Sequence, residues 1–273
     1  MPITLRSALD YRIDIPVKFW TFPGGERGLS IDTEKLKAVG SPEVRCHFRG
    51  SDDIVDLIMV TNAIRQELSS VEAVFLNIPY FPFARQDRVS NPGEPNALQA
   101  FVAVVNSLNF TGVTFWDPHS DVLEGMLTPG TAIPIRQWEI WTEDMLCITD
   151  SGRGSIKTAL ISPDAGAAKK THKVAAALGV DVIQAHKLRD TKTGAISGTW
   201  INEHYLTHYQ RLIVVDDICD GGRTFVELAE VIRRFGYKGQ LDLAVTHGIF
   251  SKGVAVVQEH FDNIFVINSF TAE

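Results

Sequence analysis

At 273 residues the chain has room for one large domain or two ordinary ones, each with a core of its own. Hydrophobic residues make up 45% and charged residues 22%, the balance of a globular protein, and the net charge of −7 argues against nucleic-acid binding, which calls for a basic face. No apolar run approaches the ~20 residues of a membrane span.

The N-terminal stretch MPITLRSALDYRIDIPVKFW lacks the apolar segment of a secretory signal, since Arg6, Asp10, Arg12 and Asp14 interrupt it. The three cysteines, Cys46, Cys147 and Cys219, are far apart and odd in number, which is neither a disulfide framework nor a zinc pattern. A cytoplasmic protein with reduced thiols, in a cell or in an infected host, is the expectation.

In chain order, short apolar runs rich in β-branched and aromatic residues predict strands at RIDIPVKFW, EVRCHF (43–48), AVFLNI (73–78), VTFW (113–116) and TALIS (158–162). Further strands follow at VDVIQAH (180–186), LIVVD (212–216), LDLAVTH (241–247) and IFVIN (264–268). Helical patterns occupy 52–69, 95–109, 166–178, 224–235 and 252–260. Such alternation predicts an α/β protein with mainly parallel sheets flanked by helices. The glycine-rich SGRGSIKT (151–158) suits a linker, and a break near 135–155 predicts two α/β halves, 1–138 and 139–273. By eye GRGSIKT resembles a phosphate-binding P-loop, but Ile156 stands where the second glycine is required and no apolar strand precedes it.

Five stretches carry candidate chemistry. In PYFPFARQDRVS (79–90) two prolines and three aromatics stiffen the backbone before Arg85, Gln86, Asp87 and Arg88; an arginine so held suits phosphate, and an aromatic loop with surface arginines is the plainer reading. WDPHSD (116–121) ends a strand with Asp117, His119 and Asp121, possible ligands of a hard metal or ordinary strand-end polar groups. In SPDAGAAKK (162–170) Asp164 precedes a helix, either as a cap or as a ligand. AHKLRDTKTGAISG (185–198) sets Lys187 and Arg189 two apart, so that an extended chain would aim both one way ahead of a lid-like loop; a charged hairpin is the alternative.

The fifth, RLIVVDDICDGGRTFVELAEVIRR (211–234), runs from an apolar strand through Asp216, Asp217 and Asp220 to Gly221, Gly222, Arg223 and Thr224. The glycines let backbone N–H groups approach an anion at a helix start, and the acids suit sugar hydroxyls, directly or through Mg²⁺. Thr224 and Glu227 predict a capping box; Phe225, Leu228, Ala229, Ile232 and Phe235 predict the buried face; Gly236 predicts the helix end.

Taken in order, PYFPFARQDR, WDPHSD, SPDAGAAKK, HKLRD, VVDDICDGGRTF and THGIFS resemble the ribose-phosphate pyrophosphokinase (PRPP synthetase) family, from about residue 20 onward. The resemblance implies two type I phosphoribosyltransferase-like domains and transfer of the pyrophosphoryl group of MgATP to the 1-hydroxyl of ribose 5-phosphate. It implies ATP contacts at Arg85, Gln86, Asp87 and His119, and at Phe22 and Glu26 of FPGGE, a loop the family usually lends to a neighbouring subunit. It implies Mg²⁺ ligands at His119 and Asp164, a catalytic pair at Lys187 and Arg189, and a ribose-phosphate site at Asp164, Asp216, Asp217 and Asp220 through Thr224. A homo-oligomer, at least a dimer, is implied as well.

Three departures stand out. Gly24 replaces a usual asparagine; Asp220-Gly221-Gly222-Arg223-Thr224 replaces the usual D-T-x-G-T; and the family's last strand and helix do not follow FVINSFTAE, so its hexamer and allosteric site are not carried over. The altered loop leaves a second acceptor open, a 5-phosphate-substituted ribose such as ADP-ribose, which would place the enzyme in NAD metabolism. A non-catalytic regulatory subunit is the remaining alternative, although His119, Asp164, Lys187 and Arg189 are all in place.

Overall fold

A computed structural model describes residues 3–68, 72–146, 156–189 and 196–270. The chain forms two compact units, Met1–Ile135 and Arg136–Glu273.

In the first unit β1 (Ile3–Ser7) is followed by β2 (Asp14–Ile15), β3 (Val17–Thr21), β4 (Arg27–Ile31), α1 (Thr33–Val39) and β5 (Pro42–Cys46). Then come α2 (Asp52–Glu67), β6 (Phe75–Asn77), α3 (Ala97–Ser107), β7 (Gly112–Trp116), α4 (Val122–Met126) and β8 (Ala132–Ile135). The main sheet has the order β2-β1-β5-β6-β7-β8, parallel from β5 to β8 and antiparallel around β1. The run RIDIPVKFW, expected as one strand, is two: Pro16 has no N–H for a ladder, and the chain passes there from β2 to a separate hairpin, β3–β4.

Pleating divides this sheet into unlike faces. Ile3, Leu5, Val44, Leu76, Val113 and Phe115 are buried with Leu57, Val60 and Ile64 of α2 and with Leu98, Phe101 and Val102 of α3. The opposite row, aligned by register, is Thr4–Arg45–Asn77–Thr114. Beside it Arg6 Nε donates to Glu43 at 2.7 Å, and the Arg6 guanidinium lies over the Tyr11 ring.

The second unit comprises α5 (Gln137–Ile140), β9 (Thr158–Ser162), α6 (Ala168–Leu178), β10 (Asp181–Arg189), β11 (Ile196–Ile201) and α7 (Glu203–Leu206). It continues with β12 (Arg211–Cys219), α8 (Arg223–Arg234), β13 (Gln240–Gly248), α9 (Ala255–Gln258) and β14 (Asn263–Ser269). The sheet order is β11-β10-β9-β12-β13-β14, parallel except at the β10–β11 edge. Here both faces are covered. Leu212 and Val214 pack towards Phe225, Leu228, Ala229 and Ile232 of α8, while Ile213 and Val215 pack with Val174, Ala175 and Leu178 of α6. Strands buried on both sides read as continuous apolar runs, which is why 158–162 and 212–216 stood out. Each such aliphatic side chain contributes roughly 1.5–3 kcal/mol on burial.

Two details of α8 differ from expectation. Gly222, at φ 77, is the residue before the first helical turn, so the helix begins at Arg223 and Thr224 is already inside it. Glu227 then faces Arg223 rather than a threonine cap, with Arg223 Nε donating to Glu227 Oε1 at 2.6 Å. At the other end Phe235 falls beyond the last turn and is 41% exposed, while Gly236 at φ 83 closes the helix as expected.

Candidate active site

In the second unit the candidate residues gather where strands end. β9 delivers Asp164, β10 delivers Lys187, and β12 delivers Asp216 and Asp217. The Asp164 backbone carbonyl is pinned by Ser162 Oγ at 2.8 Å and by Gln184 Nε2 at 2.9 Å. Its Oδ1 accepts the amides of Gly166 and Ala167 ahead of α6, as a helix-capping aspartate does, and its Oδ2 accepts from Lys187 Nζ at 2.7 Å. Partial burial pushes this carboxyl up, but the Lys187 ammonium and the amides of Ala167 and Gly166 outweigh it and hold the group below its ordinary range. The capping and site readings of Asp164 are therefore compatible.

Asp216 behaves in the opposite sense. Burial and the neighbouring Asp217 charge raise its carboxyl well above the ordinary range, and Asp164 adds to the repulsion, which places Asp164 and Asp216 within one electrostatic site. Asp216 Oδ1 accepts the Asp217 amide at 2.9 Å. Asp217 points to the α6 side, where Lys170 Nζ stands 3.2 Å from its Oδ2. A first-turn lysine of α6 thus joins this charged cluster, and nothing in its spacing marked it.

The phosphate-loop candidates turn tightly between β12 and α8. Gly222 needs to be glycine twice over: its φ is positive, and a Cβ there would stand 2.8 Å from Val257 Cγ1. Arg223 is exposed and drawn towards Glu227, lining a groove of about 320 Å³ with Gly198, Thr199, Glu230 and Arg234. The loop after β13 lies against the end of β12, because the amides of Ile249 and Phe250 both donate to the Cys219 carbonyl, at 2.8 and 3.1 Å.

The stretch 185–198 is a hairpin stem where it is described. β10 and β11 pair antiparallel from Ala185↔Ile201 to Leu188↔Gly198, with a register shift before Arg189↔Ile196. The Arg189 side chain and residues 190–195, the centre of the expected lid, lie outside the described residues.

In the first unit Phe22 and Glu26 close the β3–β4 hairpin, with the Phe22 amide donating to the Glu26 carbonyl at 2.8 Å and Gly25 at φ 94 making the turn. Phe22 is 49% exposed and meets Trp20 edge-on at 5.9 Å. Arg27 ties the hairpin to α2 through two bonds to the Asp56 carboxylate, at 2.8 and 2.6 Å. The segment 79–88 is anchored by Phe81, which packs edge-on with Phe101 and Phe115, and it turns at Phe83, φ 64. That turn leaves Arg85, Gln86 and Arg88 exposed; the Asp87 carbonyl accepts from Asn96.

The amide of Trp116 donates to the Pro79 carbonyl, so the WDPHSD turn lies beside this segment. Within WDPHSD, Asp117 is buried at φ 38 whereas His119 and Asp121 are exposed. No group of three or more His, Cys, Asp or Glu that could hold a metal occurs among the described residues. For a hard divalent cation the donor chemistry of Asp164 nonetheless fits: it is an ionised carboxylate whose Oδ2 already faces a positive charge.

No protein-family model matches the chain. It is 26% identical over 272 residues to a ribose-phosphate pyrophosphokinase of Thermococcus kodakarensis, an alignment covering 97% of this chain and 89% of that one. It is 26% identical over 211 residues to the ribose-phosphate pyrophosphokinase of Ureaplasma parvum, covering 77% of this chain and 60% of that one. Among solved structures, a phosphoribosylpyrophosphate synthetase from Mycobacterium smegmatis matches with a TM-score of 0.64 at 18% identity, over 86% of this chain and 73% of that chain. At that identity the structural likeness speaks for the fold.

Proposed function

We infer that the chain belongs to the ribose-phosphate pyrophosphokinases and transfers the pyrophosphoryl group of ATP to the 1-hydroxyl of ribose 5-phosphate, giving PRPP and AMP. The observation that carries this reading is the strand-end assembly of the second unit. An ionised Asp164 held by Lys187 lies within electrostatic reach of Asp216, whose strand leads into the Gly221–Thr224 turn.

The anomeric hydroxyl oxygen attacks the β-phosphorus and releases its proton to solvent, the bond from that phosphorus to the bridging α-phosphate oxygen breaks, and AMP leaves with the electron pair. The protein's work is positioning and charge stabilisation. Asp216 and Asp217 would accept hydrogen bonds from the ribose hydroxyls, and Asp220 through Thr224 would receive the 5-phosphate at the start of α8. Lys187 and Arg189 would meet the charge that develops on the transferring oxygens. Phe22, Glu26, Arg85, Gln86, Asp87 and His119 would hold ATP. His119 and Asp164 are the residues that would hold Mg²⁺, whose charge would offset that of the phosphates. We take the enzyme to act in the cytoplasm as a homo-oligomer, at least a dimer.

Purified protein mixed with MgATP and ribose 5-phosphate is expected to release AMP at a rate set by both substrates. ADP-ribose as the acceptor is not favoured, because the relatives that the chain matches over most of its length are named for ribose phosphate. Turnover with ADP-ribose and none with ribose 5-phosphate would overturn the acceptor and keep the chemistry; no AMP with either would overturn the enzyme.

A further inference from the structure

We propose that Lys252 supplies the cation of the phosphate loop and sets its preference for a terminal sugar phosphate. The proposal deepens the pyrophosphokinase reading and rests on it.

The segment after β13 approaches the phosphate loop at three points. The Ile249 and Phe250 amides donate to the Cys219 carbonyl, the Lys252 stem runs beside Gly221, and Val257 packs against Gly222. A methyl group placed on Gly221 would stand 3.6 Å from both Cδ and Cε of Lys252, which is ordinary van der Waals contact. The stem therefore runs beside the glycine that opens the loop, about one methyl group's width away. The turn itself is braced by Phe250 at φ 47, by Gly253 at φ 85, and by the Gly253 amide donating to the Phe250 carbonyl at 2.7 Å.

The charges around the loop single this lysine out. Three acids, Asp216, Asp217 and Asp220, crowd the end of β12, so an incoming phosphate needs a cation. Lys187 pairs with Asp164 and is assigned to the transferring oxygens, Lys170 pairs with Asp217, and Arg223 pairs with Glu227. Among the described residues Lys252 has no ion pair, and it is exposed. Arg223 sits inside the loop sequence yet lines the groove with Gly198 and Thr199, whereas Lys252 comes from a separate turn and passes beside Gly221. A flexible ammonium on such a stem compensates for a loop with no hydroxyl at Gly221.

The test uses the full chain and follows AMP release. Lys252→Met keeps the stem and removes the charge, and Lys252→Arg restores the charge. A charge-assisted contact to phosphate predicts that K252M raises the KM for ribose 5-phosphate about tenfold or more. The KM for ATP, kcat and the thermal midpoint stay near wild type, and K252R recovers most of the loss. Arg223→Gln is expected to raise that KM less than K252M does. A KM for ribose 5-phosphate in K252M within about twofold of wild type would overturn the assignment, as would a larger effect of R223Q. Should the wild type release no AMP, the enzymatic reading fails on its own. Calorimetric titration of ribose 5-phosphate into wild type and K252M then decides: weaker binding by K252M supports the role of Lys252, and equal or absent binding in both overturns it.

Discussion

Each unit builds a six-stranded, mainly parallel sheet, yet the two place charge differently. In the second unit, β9 and most of β12 are apolar on both faces, and the polar candidates gather towards the carboxyl ends: Lys187, Asp216 and Asp217 fall in the last four residues of β10 and β12, and Asp164 follows β9. In the first unit one face is core and the other bears Arg6, Glu43, Arg45, Asn77 and Thr114 in mid-sheet. A charged residue near the carboxyl end of a strand is thus a strong pointer to function in a doubly covered sheet, and a mid-sheet charge is a weak one in a sheet with a polar face. The carboxyl ends of the strands are the informative positions, as expected for open α/β sheets.

The largest effect that would test this contrast is on turnover. Lys187→Ala is expected to lower kcat about a hundredfold or more while the thermal midpoint barely moves, because the Lys187–Asp164 pair is partly exposed and contributes little to folding. Near-normal AMP release by that variant would remove Lys187 from the mechanism and with it the special standing of the strand ends.

Next in size is a buried charge at the opposite end of the same sheet. Asp242 is fully buried and receives Arg211 Nε at 2.6 Å, Gln240 Nε2 at 2.8 Å and Asn263 Nδ2 at 2.9 Å. Asp242→Ala should cost about 3 kcal/mol in urea unfolding, with activity retained in the folded fraction. Glu43→Gln on the polar face of the first unit should cost about 1 kcal/mol, since Arg6 also stacks on Tyr11. Equal losses would mean that the two sheets bury charge alike.

The strand-end acids also predict a trade of stability for function. Burial and the Asp217 charge hold the Asp216 carboxyl above its ordinary value near 3.8, so the folded chain keeps a proton that the unfolded chain has released. The resulting stability is complete below that ordinary value and falls as the pH rises from there through the folded pKa. Asp216→Asn, which cannot ionise, should therefore melt higher than wild type once the pH exceeds the folded pKa, lose the advantage in acid, and bind ribose 5-phosphate poorly. Asp164 has the opposite sign, its depressed carboxyl stabilising the fold at neutral pH and ceasing to do so as the pH falls through its folded pKa. A D216N variant melting below wild type at alkaline pH would show that the carboxylate, not its desolvation, dominates.

How much of this was legible follows from the same contrast. The runs 158–162, 212–216 and 241–247 were plain because both faces are buried, and Thr158–Ser162 matched to the residue. In the first unit β1, β4 and β8 went unread: ITLRS and RGLSI mix polar residues into the alternation, and AIPI contains Pro134. Asp164, Lys187, Asp216 and Asp217 could be named from their places after apolar runs. The Asp164–Lys187 contact could not, because it depends on β9 and β10 pairing in parallel register. The Thr224–Glu227 capping box failed for a local reason, since a glycine able to take φ 77 starts the helix one residue early. Lys252 gave no signal at all; a lone lysine beside a glycine reads as surface until the fold brings it alongside Gly221.

The smallest expected effect tests the polar face itself. Thr114 is a half-buried residue in the middle of the first unit's sheet, between Asn77 and Ile133 in register, and it belongs to no apolar cluster. Thr114→Ala removes a hydroxyl and a methyl group, and on a face of this kind the change should stay within about 0.5 kcal/mol by urea unfolding. Ile213→Ala, at a comparable mid-strand position of β12 packed beneath α6, should cost about 3 kcal/mol, because the cavity it opens has helix on one side and sheet on the other. A loss of about 2 kcal/mol at Thr114 would be a packing loss rather than a polar one. The first unit's second face would then be a core in its own right, and charge within it would carry the same functional weight as charge in the second unit.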